Sequence, residues 1–130
     1  MNTPKQNKPV SILIVEDEVI ISLEIEGRLR SNGFNIIGPI ASSEEAVVAA
    51  VTYQPEVIVM DIHIQGSKDG IDITREIFTI YKPVIIFISA YTDNETKVKV
   101  ETVQPSYFLA KPISYEDLTR IIQRTVSEKV

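Results

Sequence analysis

Residues 57–71 read VIVMDIHIQGSKDGI, and the apolar run that ends at Asp61 decides the fold class. Val57, Ile58, Val59 and Met60 place apolar side chains on both faces of a pleat, the pattern of a parallel strand covered by helices on each side. A carboxylate directly after such a run is costly at a buried strand end unless it has a partner or a cation. Four similar runs lie outward from this one: Ile12 to Val15, Phe34 to Ile37, Val84 to Ile88 and Tyr107 to Ala110. The second departs from the others, because Pro39 removes a ladder donor and suits an edge position or a strand end.

Helical periods fill the gaps between the runs. Ile21, Ile25 and Leu29 recur at spacing four; Ala46, Ala49 and Ala50 share a face; Ile73, Ile77 and Tyr81 do the same. The last helix carries Leu118, Ile121, Ile122 and Val126 on one face and starts at Ser114, a capping residue three positions before Asp117. The stretch from Asn94 to Val103 is a weaker helix whose valines form no single stripe, and it is expected to be the least firmly packed element. Gly33, Gly38 and Gly70 fall at the predicted boundaries. Strands alternating with helices imply an α/β parallel sheet built by right-handed crossovers.

Composition narrows the function classes. Thirteen basic residues against 18 acidic ones, a net charge of −5 in 130 residues, argue against direct nucleic-acid binding, which needs a basic stripe. There is no Cys, which removes disulfides, thiolate metal sites and cysteine nucleophiles and is compatible with a reducing cytoplasm. No apolar run approaches the roughly 18 residues of a membrane span. Residues 1–9, MNTPKQNKP, read as a flexible tail without an apolar targeting segment, and residues 10–130 as one domain.

In a doubly wound sheet, ligands bind beyond the carboxyl ends of the strands, where strand order reverses. At those ends stand Glu16-Asp17-Glu18, Asp61, Ser89 and Lys111-Pro112. Carboxylates from different strands can hold a hard cation such as Mg²⁺, an Asp can attack phosphorus, and a metal, an ammonium and a hydroxyl can neutralise transferred phosphoryl oxygens. Each residue also has a plainer reading. The acidic triplet suits a helix N-terminus, Lys111 a surface, Ser89 a turn, and His63, the single His, an exposed loop.

Taken together, ILIVEDE at 12–18, VIVMDIHIQGSKDGI at 57–71, VIIFISAY at 84–91 and YFLAKPI at 107–113 resemble a response-regulator receiver domain of two-component signalling. The resemblance implies a flavodoxin-like doubly wound sheet of five parallel strands, order 2-1-3-4-5, with five helices. It implies Asp61 as phosphoacceptor for a partner histidine kinase or phosphotransfer protein. Mg²⁺ would be held by Asp17, Asp61 and the backbone carbonyl of His63, with Glu16 acting through water or at longer reach. Ser89 and Lys111 would follow the phosphate, Ser89 and Phe108 would act as switch residues, and the Lys111-Pro112 bond would be cis. His63 and Tyr91 would flank the path of hydrolytic water and lengthen the phosphate lifetime. The surface of the fourth helix, fifth strand and last helix would switch and is a candidate homodimer face. A cytoplasmic signalling protein follows, an enzyme only toward its own phosphorylation and dephosphorylation; the alternative is an interaction module that is never phosphorylated.

The loop after Asp61 departs from the commoner receiver pattern. Gln65 replaces a Pro, and Asp69-Gly70 come one residue late, as in a subgroup reading DIxLxGxxDGI. Phe108 lacks the hydroxyl of the usual Tyr. Two rival enzyme or carrier readings fail on residues. An aspartate-nucleophile phosphatase would want a second Asp where His63 stands, and a flavin carrier a hydroxyl- and glycine-rich loop where the acidic triplet stands.

Overall fold

Among the described residues strands and helices alternate, as the two periods in the sequence require. The structure is a computed structural model and describes residues 8–129; residues 1–7 of the expected tail lie outside the described residues. The elements are β1 (Ser11–Val15), α1 (Val19–Ser31), β2 (Asn35–Ile40), α2 (Ser43–Tyr53), β3 (Val57–Asp61), α3 (Gly70–Phe78), β4 (Val84–Ser89), α4 (Asn94–Glu101), β5 (Tyr107–Ala110) and α5 (Tyr115–Lys129). The five strands form one parallel sheet in the order β2-β1-β3-β4-β5.

Alternation along each strand builds two cores rather than one. Leu13, Val15, Ile58, Met60, Ile85 and Phe87 face α2 and α3, with Val100 and Val103 joining from the α4 side. Ile12, Ile14, Val57, Val59, Ile86 and Ile88 face α1 and α5 through Ile25, Leu29, Leu118 and Ile122. Every residue of β3 and β4 is buried, so the doubly apolar runs read from the sequence are the central strands.

Three local expectations change. β2 does not stop at Ile37 but continues through Pro39 to Ile40, with a register break between Leu13↔Ile37 and Val15↔Ile40. Gly38 makes the break possible: its φ is +91°, and a Cβ there would lie 2.9 Å from the Ile40 amide nitrogen and 3.0 Å from the Ile14 carbonyl. Pro39 is tolerated because β2 is an edge strand. Tyr81 lies beyond the end of α3, where its hydroxyl donates to the Pro55 carbonyl at 2.9 Å. Ile21 of the α1 stripe is only partly buried, whereas Ser22 is enclosed in its place.

The remaining helices follow the sequence. Ser114 Oγ accepts the Asp117 amide at 3.2 Å, a formed cap for α5. α4 buries only Thr96 and Val100 within its length, as a weakly packed helix should, but β5, with no fully buried residue, is less enclosed than the sequence led one to expect of any element but α4. Lys111-Pro112 is cis, as expected, and so are Gly38-Pro39 and Gln104-Pro105. Among the described residues no helix is long and apolar enough to cross a membrane.

Candidate functional site

Strand order reverses between β1 and β3, which places the carboxyl ends of those strands at the mouth of the sheet. Glu16 leaves β1 with its amide donating to the Ile40 carbonyl at 2.9 Å, and its side chain turns inward with no exposed area. Asp61 ends β3 and is 3% exposed. Its position is fixed from behind by Gly70, where a Cβ would meet the Asp61 carbonyl at 2.5 Å and Met60 Cγ at 2.8 Å. Only glycine lets the start of α3 press this closely on the strand.

One carboxylate oxygen from each of Glu16, Asp17 and Asp61 lies within 4.8 Å of the others. Lys111 enters this cluster from the end of β5, its backbone anchored by an N–H that donates to the Ser89 carbonyl at 2.9 Å. Its Nζ stands 2.9 Å from Glu16 Oε1, 3.1 Å from Glu18 Oε1 and 3.6 Å from Asp61 Oδ2. The contact with Glu18 is a hydrogen bond. The closer contact with Glu16 is an ion pair by distance only, because Glu16 Oε1 has no hydrogen-bond partner of acceptable angle.

Burial pushes the Glu16 carboxyl up to about 7, against the Glu18 amide and Lys111, which pull it down, and with the Asp61 charge adding to the rise. For Lys111 burial works toward a lower value, but the carboxylates of Glu16, Glu18 and Asp61 outweigh it and raise the pKa above the usual one. The cluster thus holds more carboxylates than one ammonium can balance, and the buried Glu16 Oε1 faces that ammonium at 2.9 Å without a well-directed hydrogen bond. A hard divalent cation fits that donor set, because all the groups offered are oxygens and the charge deficit is local.

The other expected residues surround the cluster to different degrees. Ser89 is fully buried, and its Oγ accepts the Tyr91 amide at 3.0 Å. The His63 amide donates to Asp61 Oδ1 at 3.0 Å. Its ring is exposed and meets Tyr91 edge to face, with centroids 4.4 Å apart and an interplanar angle of 86°, so the loops after β3 and β4 touch above the site. Phe108 lies half-buried against the α3-side core, opposite Phe87. Glu18 was legible as one acid of the rim triplet and as a helix-start acid; its bond to Lys111 joins residues 93 apart and left no local signal.

The sheet order, the acidic cluster and the lysine agree with one family, and residues 12–123 match the model of the response regulator receiver domain. The chain belongs to that family. Receivers of two-component systems bind Mg²⁺ at such an acidic cluster. The transcriptional regulatory protein PdtaR of Mycobacterium tuberculosis is 30% identical over 119 residues, covering 92% of this chain and 58% of PdtaR. The phyllosphere-induced regulator PhyR of Methylorubrum extorquens is 29% identical over 88% of this chain and 43% of its own length. The receiver therefore spans about half the length of these curated relatives. Among solved structures, the signal receiver domain of a modulated diguanylate cyclase from Desulfovibrio desulfuricans superposes with a TM-score of 0.85 at 30% identity, covering 94% of this chain and 97% of that one.

Proposed function

We propose that this receiver accepts a phosphoryl group onto Asp61 from a phosphohistidine of a partner histidine kinase or phosphotransfer protein, in a Mg²⁺-dependent reaction. The observation that carries the reading is the clustering of Glu16, Asp17 and Asp61 carboxylate oxygens within 4.8 Å, with the Lys111 ammonium reaching Glu16 and Asp61. Asp61 Oδ1 is engaged by the His63 amide, which leaves Oδ2, 3.6 Å from Lys111 Nζ, as the attacking oxygen. The Oδ2–phosphorus bond forms as the phosphorus–nitrogen bond breaks, and the electron pair returns to the imidazole of the donor.

Glu16, Asp17, Asp61 and the His63 carbonyl would hold Mg²⁺. Bound there, the cation neutralises charge on the transferred oxygens. Lys111, 3.6 Å from Oδ2, meets the phosphate charge from the other side. Ser89 uses a lone pair on the Tyr91 amide and keeps its own proton to donate to a phosphoryl oxygen. His63 and Tyr91 in edge contact restrict the approach of water and lengthen the life of the aspartyl phosphate.

The product is a changed surface rather than a released molecule. Phosphorylation adds roughly one to two negative charges beside a lysine that the Glu16 and Glu18 carboxylates already share. Ser89 and Lys111 follow the phosphate, Phe108 repacks, and the α4-β5-α5 face shifts population and offers a homodimer contact. α4 supports this by burying so little of its length. Val19, Ile20 and Leu23, exposed apolar residues directly after the acidic triplet, suit docking of a donor helix. A cytoplasmic setting, where such kinases present their phosphohistidine, belongs to the same reading.

The test is to incubate the protein with Mg²⁺ and acetyl phosphate, or with beryllofluoride, and follow intact mass or NMR shifts in wild type and Asp61→Asn. A mass gain or spectral change confined to wild type is expected. A response that persists in Asp61→Asn, or none in either, refutes the assignment.

A further inference from the structure

Residues 65–68, beyond the buried Ile62 and Ile64, form an exposed loop with ties to α2 and its N-cap, which contribute nothing to the acidic cluster. Gln65 pairs with Ser42 in an isolated parallel bridge, and its carbonyl accepts the Ser43 amide at 2.8 Å. Glu44 Oε2 accepts both the Ser67 amide at 3.0 Å and the Ser67 hydroxyl at 2.7 Å. The Lys68 amide reaches Ser43 Oγ at 3.4 Å. Gly66 sits between these ties with φ +126°, and a Cβ there would collide with Ser43 Oγ. Beyond the loop, Asp69 caps α3 and the Gly70 amide returns to the Ile62 carbonyl at 2.8 Å.

Glu44 is not needed to start α2. Ser42 is the N-cap, accepting the Glu45 amide at 3.3 Å, and Glu45 answers with its carboxylate on the Ser42 hydroxyl at 3.1 Å. The Glu44 side chain, in the first turn of α2, instead grips a loop 23 residues away. His63, which holds Asp61 Oδ1 by its amide, is separated from the first tie at Gln65 only by the buried Ile64. An exposed segment without such bonds samples many backbone states, and a site available in only a fraction of them binds its ligand more weakly by that fraction.

We infer that Glu44, through Ser67, is a positioning residue for the phosphoacceptor loop, setting the affinity of the site for its divalent cation without touching the cation or the phosphate. The inference rests on the Mg²⁺-dependent phosphoacceptor reading above. Two hydrogen bonds to a charged acceptor shift a loop equilibrium by up to about one order of magnitude, so their loss raises the Mg²⁺ concentration for half-maximal phosphorylation about three- to tenfold. The maximal rate at saturating Mg²⁺ stays within about twofold, because the reacting groups are unchanged.

The experiment titrates Mg²⁺ with acetyl phosphate as donor, reading intact mass over time, for wild type, Glu44→Ala, Ser67→Ala, the double variant and Glu45→Ala. A raised half-saturation in both single variants, no further rise in the double variant and a normal value in Glu45→Ala are expected. A wild-type half-saturation in Glu44→Ala overturns the inference, as does a defect that excess Mg²⁺ fails to relieve or an equal shift in Glu45→Ala. If wild type gains no mass, the phosphotransfer reading fails instead, and Mg²⁺-induced NMR shifts in the same variants still decide the role of Glu44. No Mg²⁺-dependent shift in wild type overturns both.

Discussion

Replacing Asp61 by Asn should stabilise the fold when no divalent cation is present. At about pH 8, above the value of about 7 to which burial raises it, Glu16 adds its charge to the cluster. The Glu16, Asp17 and Asp61 oxygens lie within 4.8 Å of one another, so at an effective dielectric of about 20 Asp61 is repelled by Glu16 and by Asp17 by at least about 3.5 kcal/mol each. Against this stands the attraction of Lys111 at 3.6 Å, about 4.6 kcal/mol on the same scale. Neutralising Asp61 therefore relieves about 2 kcal/mol, and removing a buried charge acts in the same direction. Asn keeps the oxygen that accepts the His63 amide, so the loop geometry is preserved.

For a chain of 130 residues this corresponds to a rise of roughly 7 °C in midpoint. Circular dichroism melts of wild type and Asp61→Asn in chelator, at about pH 8, provide the comparison. With about 10 mM Mg²⁺ the gap should narrow, because the wild type gains more from cation binding than a variant lacking one ligand. A variant that melts at or below wild type in chelator refutes the account of three like charges held together by the fold.

The tie between Glu44 and Ser67 makes a pH prediction. Ser67 holds the Glu44 carboxyl down at about 2 from an ordinary 4.5; a depressed carboxyl stabilises the native state above about 4.5, and that contribution fades as pH falls toward 2. NMR titration of the Ser67 amide should show its midpoint near 2, and a midpoint near 4.5 would show that no such bond exists in solution. Gly66→Ala should cost roughly 1–3 kcal/mol in urea unfolding, since φ +126° is foreign to L-residues and Ser43 occupies the space; unchanged stability would rule out this loop path. Replacing His63 and Tyr91 together by small polar residues should shorten the life of the aspartyl phosphate several-fold, as followed by loss of mass after donor removal. An unchanged lifetime would remove any gating role from the ring pair.

Central strands were the most legible part of the fold. β3 and β4 read as apolar on both faces, and an element buried on both sides has no other stable reading at that length. Edges were less legible. β2 passes through Gly38-Pro39 because a bulge absorbs the extra residue, and a bulge depends on what the neighbouring strand allows. Tyr81 carried the right spacing for α3 yet lies past its end, its hydroxyl used instead on Pro55. In the site, Glu16, Asp61, Ser89 and Lys111 were visible because each follows an apolar run directly, and Asp17 because it stands next to Glu16. Their relative placement follows from the strand order alone.

The amino-acid sequence determined the alternation of strand and helix, the residues delivered to the rim and the excess of acid there, since these follow from local periodicity and from what stands at each strand end. Tertiary structure decided which of those acids is buried, which one bonds Lys111 and what holds the loop after Asp61. Glu16 rather than Asp17 turns inward, Glu18 takes the hydrogen bond from Lys111, and Glu44 reaches Ser67. Such pairings join residues 23 and 93 apart, and no local preference encodes them; they exist because two packed cores fix the ends of β1, β3 and β5 and the start of α2 within a side chain's length of one another.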